Sequence, residues 1–307
     1  MDEVLTARSV CFSYGRANAV ADLDVTLRRG DILGFVGPNG AGKTTTIKLL
    51  LGLLTPTGGS IEAFGLPMAT RRPEVAGRIG ALVETPAVYG HLTAAENLDL
   101  QRVAHRAPRS RIRDVLELVS LQDAGRKPVK HFSLGMRQRL GIAIALLHRP
   151  ELLILDEPAN GLDPAGIQDV RRLLQRLASE QRTTILVSSH ILAELEQSAT
   201  AIAVIVGGRI RFSGTLDAMK ASRGGVVRVV VDNRERAAAA LGRLGLTAEA
   251  DGPDGLQVRA DDREVCARVA AALTGGGLKV YRLALEHPPL EELFLDIVRR
   301  HEREVAA

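Results

Sequence analysis

The chain has 307 residues, 46% hydrophobic and 25% charged, with a net charge of +4; this suffices for roughly two packed domains. Basic and acidic residues are interspersed, which speaks against a nucleic-acid-binding tail, and the apolar runs fall well short of the roughly 18 residues a membrane-spanning helix needs. No secretory leader is legible in "MDEVLTARSV", and Cys11 and Cys266, far apart, read as small core side chains in a reducing compartment rather than a disulfide or metal site.

Residues 1–30 alternate apolar and polar ("VLTARSVCFSY", "AVADLDVTL"), the pattern of half-exposed antiparallel strands. The runs "DILGFVG" (31–37), "ELLILDEP" (151–158), "TTILVSS" (183–189) and "AIAVIVGGRI" (201–210) are nearly continuously apolar. They predict an α/β fold with strands buried on both faces of a parallel sheet and helices as crossovers. Residues 93–122 are helical by period and broken at Pro108, within an inserted helical subdomain spanning about 85–148. Past Gly224 and Gly225 the order is strand (226–232), helix (234–244), strand (246–250), strand (255–260), helix (262–274) and strand (278–284). That is the βαββαβ order of a ferredoxin-like α+β domain. An amphipathic helix follows Pro288 and Pro289. The chain thus divides at about 1–220 and 221–307.

"GFVGPNGAGKTTTIKLL" (34–50) places four glycines before a helix, where each costs about 0.5–1 kcal/mol relative to alanine. Gly37, Gly42, Lys43 and Thr44 match G-x-x-x-x-G-K-[ST] between a predicted strand and a predicted helix, the setting of a P-loop. Past Pro38, which shapes the loop but has no N–H, the backbone N–H groups of Asn39, Gly40 and Ala41 converge into an anion nest, and the helix start at Thr44 and Thr45 adds its positive end. A bound polyphosphate would offset the glycines' cost. Lys43 can reach the β- and γ-phosphates, and the Thr44 hydroxyl can take a magnesium position. "LLILDEP" ends a buried strand on Asp156 and Glu157, at the sheet edge where nucleotides bind in such folds. Asp156 is placed to hold magnesium and Glu157 to polarise an attacking water as general base.

With these motifs in this order, residues 4 to about 220 resemble the ATP-binding subunit of an ABC transporter. The resemblance implies a P-loop NTPase fold with an antiparallel β subdomain beside the parallel core, ATP and Mg2+ as cofactors, and ATP hydrolysis. It implies that Tyr14 in "FSYG" stacks on adenine and that His190 in "SSH" contacts the γ-phosphate. It makes "HFSLGMRQRLGIAIAL" the family signature, with Ser133 and Gly135 at its key positions, and "NGLDP" (160–164), with Asp163, the loop after the two carboxylates. Ser133 also reads as the N-cap of a helix running from Leu134 until Pro150 stops it. Its N-terminus is a second anion site, which the family brings to ATP by head-to-tail homodimerisation.

The signature departs from the family's Ser-Gly-Gly-Gln in carrying Leu134 and Met136, and "IGALVETP" carries Glu84 where the family normally has a glutamine that touches magnesium. Both features, and the tail "EHPPLEELFLDIV", are similar to exporters of bacitracin, lantibiotics and drugs. Glu84 adds a negative charge beside Asp156, Glu157 and the γ-phosphate, so assembly of the site is expected to depend steeply on magnesium. The implied setting is peripheral, on the cytoplasmic face of the cell membrane. A separate integral membrane permease there would meet Val88, Tyr89 and Leu92; no nucleic-acid partner is implied. Alternatives are a non-transport ABC ATPase, without the second cassette or coiled-coil insertion typical of such proteins, and an ABC ATPase regulated by a ligand at its C-terminal domain. A GTPase or kinase finds no support, since no Asn-Lys-x-Asp is present.

Overall fold

Glu3–Tyr14 and Ala17–Arg28 pair antiparallel around a turn in which Gly15 is left-handed (φ 59°). With Gly58–Ala63 and Leu66–Pro67, strands not anticipated from the sequence, they form a four-stranded sheet. The computed structural model describes residues 2–221, 224–260, 263–286 and 289–306. A six-stranded sheet follows the order Arg209–Gly214, Ala201–Val206, Ile32–Val36, Thr184–Ser189, Leu152–Leu155, Ile79–Leu82. The last five run parallel. Every residue of Ile32–Val36, Leu152–Leu155 and Thr184–Ser189 is buried, as expected of strands covered on both faces. Leu152, Leu153, Ile154 and Leu155 are each 0% exposed, and burying such side chains stabilises by about 1.5–3 kcal/mol each. That burial fixes where the next two residues, Asp156 and Glu157, emerge.

The run 201–210, read as one buried strand, is instead two. Gly207 and Gly208 both adopt positive φ (59° and 73°), and Arg209–Gly214 turns back antiparallel on Ala201–Val206. A Gly-Gly pair can enter this left-handed turn without the Cβ clash any other residue would suffer. The helical stretch resolves into Ala94–His105 and Ser110–Leu118, either side of Pro108. The first opens on a capping box, in which Thr93 Oγ accepts from Glu96 N–H and the Glu96 carboxylate accepts from Thr93 N–H. The helix Leu134–Leu146 stops short of Pro150, and Arg149 carries a left-handed φ of 56°.

The chain divides into two units, residues up to Gly214 together with those from Arg300, and Thr215–Arg299. The second carries an antiparallel sheet ordered Ala248–Ala250, Gly255–Ala260, Gly225–Val231, Val280–Glu286. Alternate residues Val227, Val229 and Val231 are buried, together with Leu241 of Arg234–Gly242 and Leu273 of Arg263–Gly275. This is the ferredoxin-like βαββαβ arrangement. Pro288, placed before the last helix, lies outside the described residues; that helix is Leu290–Ala306. Among the described residues no helix is long and apolar enough to cross a membrane.

Candidate active site

The loop after Ile32–Val36 leads into the helix Lys43–Leu50, whose N-cap is Gly42 at φ 101°. The first N–H groups of such a helix have no intrahelical partners, and Gly42 has no side chain to supply one. Two glycines of this loop are required by packing. A Cβ on Gly37 would lie 2.4 Å from Ile205 O, and one on Gly42 would lie 2.6 Å from Ala19 O. Gly40 has open space but a φ of 79°. The loop's shape is therefore fixed by the protein around it, before any phosphate is present.

Lys43 is 6% exposed, and its Nζ donates to the carbonyls of Gly37 (2.8 Å) and Pro38 (3.2 Å). It also pairs with Glu157 Oε1 at 3.2 Å. Thr44 Oγ1 donates to Asp156 Oδ2 at 2.8 Å. His190 Nδ1 meets Glu157 Oε2 at 2.7 Å. So Lys43, Thr44, Asp156, Glu157 and His190, from three stretches of the chain, form one contiguous polar cluster. Glu157 sits at a left-handed φ of 47°, which costs a non-glycine residue roughly 1–2 kcal/mol. Its backbone is held at both ends: its N–H donates to Ser188 Oγ (2.9 Å) and its carbonyl accepts from Gln138 Nε2 (3.4 Å).

A cleft of about 480 Å³ opens on one side of the cluster, lined by Tyr14, Asn39, Gly40, Gly42, Lys43, Thr44, Thr45 and Glu157, with Gly207 and Gly208. Gly37 and Ala41 are buried and Pro38 is half-buried, and none of the three lines the cleft. Tyr14 is 53% exposed at its rim and meets the Phe12 ring edge-on at 4.9 Å. A second cleft of about 500 Å³ shares Thr44 and Glu157 and adds Asp156, Glu84, Leu134, Arg137 and Gln138.

Glu84 lines that second cleft, but its carboxylate lies on Lys48 Nζ at 2.7 Å. This hydrogen bond, foremost, holds the Lys48 ammonium above its ordinary pKa. The negative charge expected to press on Asp156 and Glu157 is thus neutralised locally, by a lysine one helical turn beyond Thr44. Ser133 caps its helix by accepting from Met136 N–H (3.2 Å), and Asp163 caps Pro164–Gln181 by accepting from Gly166 N–H (3.0 Å). Ser133 is exposed, and neither it nor Gly135 lines the two clefts. Leu134 lies against Gly161, where an added Cβ would approach it to 2.6 Å.

Sequence reasoning passed over Ser188, Gln138 and Lys48. Ser188 lies near the end of the buried strand Thr184–Ser189 that delivers His190. Lys48 is four residues after Thr44, the spacing that shares a helix face.

The chain matches the ABC transporter family over residues 20–160. It is 49% identical over 211 residues to the bacitracin transport ATP-binding protein BcrA of Bacillus licheniformis, spanning 68% of this chain and 69% of that one. It is 37% identical over 304 residues to the daunorubicin resistance ATP-binding protein DrrA3 of Streptomyces coeruleorubidus, spanning 96% of each. A solved structure of an ATP binding subunit of an ABC transporter superposes with a TM-score of 0.64 at 33% identity, over 71% of this chain and 92% of that chain.

Proposed function

This chain belongs to the family of ABC transporter ATP-binding proteins, and from that premise we propose that it hydrolyses ATP as a homodimer to drive export of an antibiotic, peptide or drug through a separate membrane permease. The observation that carries the reading is the single cluster of Lys43, Thr44, Asp156, Glu157 and His190 beside the P-loop cleft.

Adenine stacks on Tyr14 at the rim, and the triphosphate lies along Asn39, Gly40, Gly42, Thr44 and Thr45, with Gly37, Pro38 and Ala41 shaping the loop behind. Lys43 exchanges the carbonyls of Gly37 and Pro38 for β- and γ-phosphate oxygens. Thr44 and Asp156 offer one hydroxyl and one carboxylate oxygen, a hard-oxygen set that fits an ion bound mostly by phosphates and water. They would hold Mg2+, which supplies charge neutralisation at the β- and γ-phosphates when bound. Glu84 reaches that position only by leaving Lys48. Glu157 takes a proton from the attacking water, and His190 holds its carboxylate and reaches the γ-phosphate.

Ser133 and Gly135 line neither of the two clefts of this chain's own cluster, so the signature helix acts on a second copy's ATP, across a head-to-tail interface that includes Asp163. The names of the relatives, bacitracin transport and daunorubicin resistance, support export. A position on the cytoplasmic face of the membrane follows from a permease partner, for which Val88, Tyr89 and Leu92 are the surface. Sedimentation of Glu157→Gln tests the reading: a dimer is expected with saturating ATP and magnesium and a monomer with ADP. A monomer in both conditions, with and without the permease, overturns it.

A further inference from the structure

The cluster depends on a residue that lines neither of its two clefts. In the register of the core sheet Leu155 lies beside Val187, so the next pair along these parallel strands is Asp156 and Ser188. Ser188 is 0% exposed. Its hydroxyl donates to Asp156 Oδ1 at 2.7 Å and accepts from the Glu157 N–H at 2.9 Å. One oxygen atom therefore ties the side chain of one acidic residue to the backbone of the next. Asp156 is gripped from both sides, by Ser188 on Oδ1 and by Thr44 on Oδ2.

Strand parity selects this serine over its neighbour. The Ser188 hydroxyl, within the strand, and the His190 ring, just past its end at Ser189, both meet the Asp156–Glu157 pair. Ser189, on the other face, bonds to Ile191 N–H and to Glu194 instead. The strained φ of Glu157 aims its carboxylate between Lys43 and His190. The bond that fixes this backbone at its N–H is the one to Ser188.

We propose that Ser188 is a positioning residue that sets the Asp156 carboxylate toward the metal and the Glu157 carboxylate toward the attacking water, coupling the two through one hydroxyl. This rests on the roles given above to Asp156 and Glu157. A hydroxyl has one hydrogen and two lone pairs, so Thr44 would offer a lone pair to magnesium while still donating to Asp156 Oδ2. Ser188, on Oδ1, is the one of these two donors that would not itself ligate the ion, so it would hold the carboxylate's orientation independently of the metal. Outer-shell partners of this kind are worth about 10–100-fold in metal affinity or activity.

The test is Ser188→Ala, read by kcat, by metal-free ADP affinity, and by the magnesium concentration that half-saturates tightening of a non-hydrolysable ATP analogue. The expected result is metal-free ADP binding within about twofold of wild type, half-saturating magnesium raised about tenfold or more, and kcat lowered by about 10–100-fold. Should the alanine chain not fold, Ser188→Cys keeps the approximate volume with only a weak donor, and must show the same split. A variant with wild-type magnesium titration and kcat overturns the proposal. So does a loss of metal-free ADP binding as large as the loss in kcat, because that is general disruption of the site. Glu157→Gln, measured alongside, separates the two levels. If it hydrolyses ATP at the wild-type rate, the role of Glu157 fails; if it is inactive while Ser188→Ala is normal, only the positioning role fails.

Discussion

Lys43 cannot serve a phosphate and its present partners at the same time, and this sets a measurable competition. Its side chain is 6% exposed, and the ammonium pairs at 3.2 Å with Glu157, whose side chain is 20% exposed. A nucleotide must draw Lys43 away from that carboxylate and also brings negative charge toward it. The bonds to Gly37 O and Pro38 O are given up equally in wild type and in Glu157→Gln, so they cancel. What differs is the pair with Glu157. A hydrogen bond to a charged group is worth about 1.5–3 kcal/mol, and the glutamine oxygen retains part of it, leaving roughly 1 kcal/mol. At 1.4 kcal/mol per tenfold, Glu157→Gln should bind ADP about fivefold tighter than wild type. ADP is the right ligand because it lacks the γ-phosphate that the partner's signature would grip, so tightening cannot come from dimerisation. Calorimetric titration without magnesium removes the metal as well. Equal or weaker ADP affinity in Glu157→Gln would show that the Lys43–Glu157 pair does not compete with phosphate, and the argument would fail.

Lys48→Met should raise the magnesium needed for half-maximal ATPase more than Glu84→Gln does, since it leaves Glu84 unneutralised in a cleft shared with Asp156; the reverse order in a magnesium titration would refute the compensating role of Lys48. Because the pair is largely solvent-exposed (30% and 61%), either change should alter stability by less than about 1 kcal/mol. His148 is held below its ordinary pKa of 6.5, chiefly by burial and then by the stacked His105 at 4.3 Å. As pH falls through 6.5 the unfolded chain takes up this proton before the folded one, so stability is full above 6.5 and declines toward the lower folded value. Urea unfolding between pH 7.5 and 5.5, chosen to bracket that window, should show a smaller acid loss in His148→Gln, and an equal loss would refute the assignment. Arg111→Met should cost about 2 kcal/mol in the same assay. It removes two buried hydrogen bonds, to Leu146 O (2.9 Å) and Leu147 O (3.2 Å), partly offset by relief of a buried charge; an unchanged urea midpoint would refute it.

The parallel core was legible because strands covered on both faces read as unbroken aliphatic runs, as in Leu152–Leu155. The same criterion fails at 201–210, where Gly207 and Gly208 interrupt the apolar run; a Gly-Gly pair between two β-rich stretches is itself a hairpin signal. Gly58–Ala63 escaped for the opposite reason. "GGSIEA" begins with residues that disfavour strands, and it is ordered by its antiparallel partner Glu3–Tyr14 rather than by its own propensity. Gly59 shows the tertiary cause: a Cβ there would lie 2.3 Å from Ser9 O, so the glycine marks a close approach of two strands.

At the site, residue types with a fixed offset from a motif could be named from the sequence, whereas their pairings could not. Lys43, Thr44, Asp156 and Glu157 announce themselves by the chemistry of the loop and the strand end. That Asp156 faces Ser188 depends on the register between Leu152–Leu155 and Thr184–Ser189, elements separated by the whole helix Pro164–Gln181. A slip of one residue would set Asp156 beside Ser189 or Val187 and leave its Oδ1 without the Ser188 hydroxyl. The register is held by aliphatic side chains with no chemical role, Leu153, Ile154, Leu155, Ile185 and Leu186, all 0% exposed. The placement of the cluster is thus a consequence of core packing. Substitutions such as Ile154→Ala, which touch no ligand, should lower kcat by shifting the strand end that carries Asp156 and Glu157.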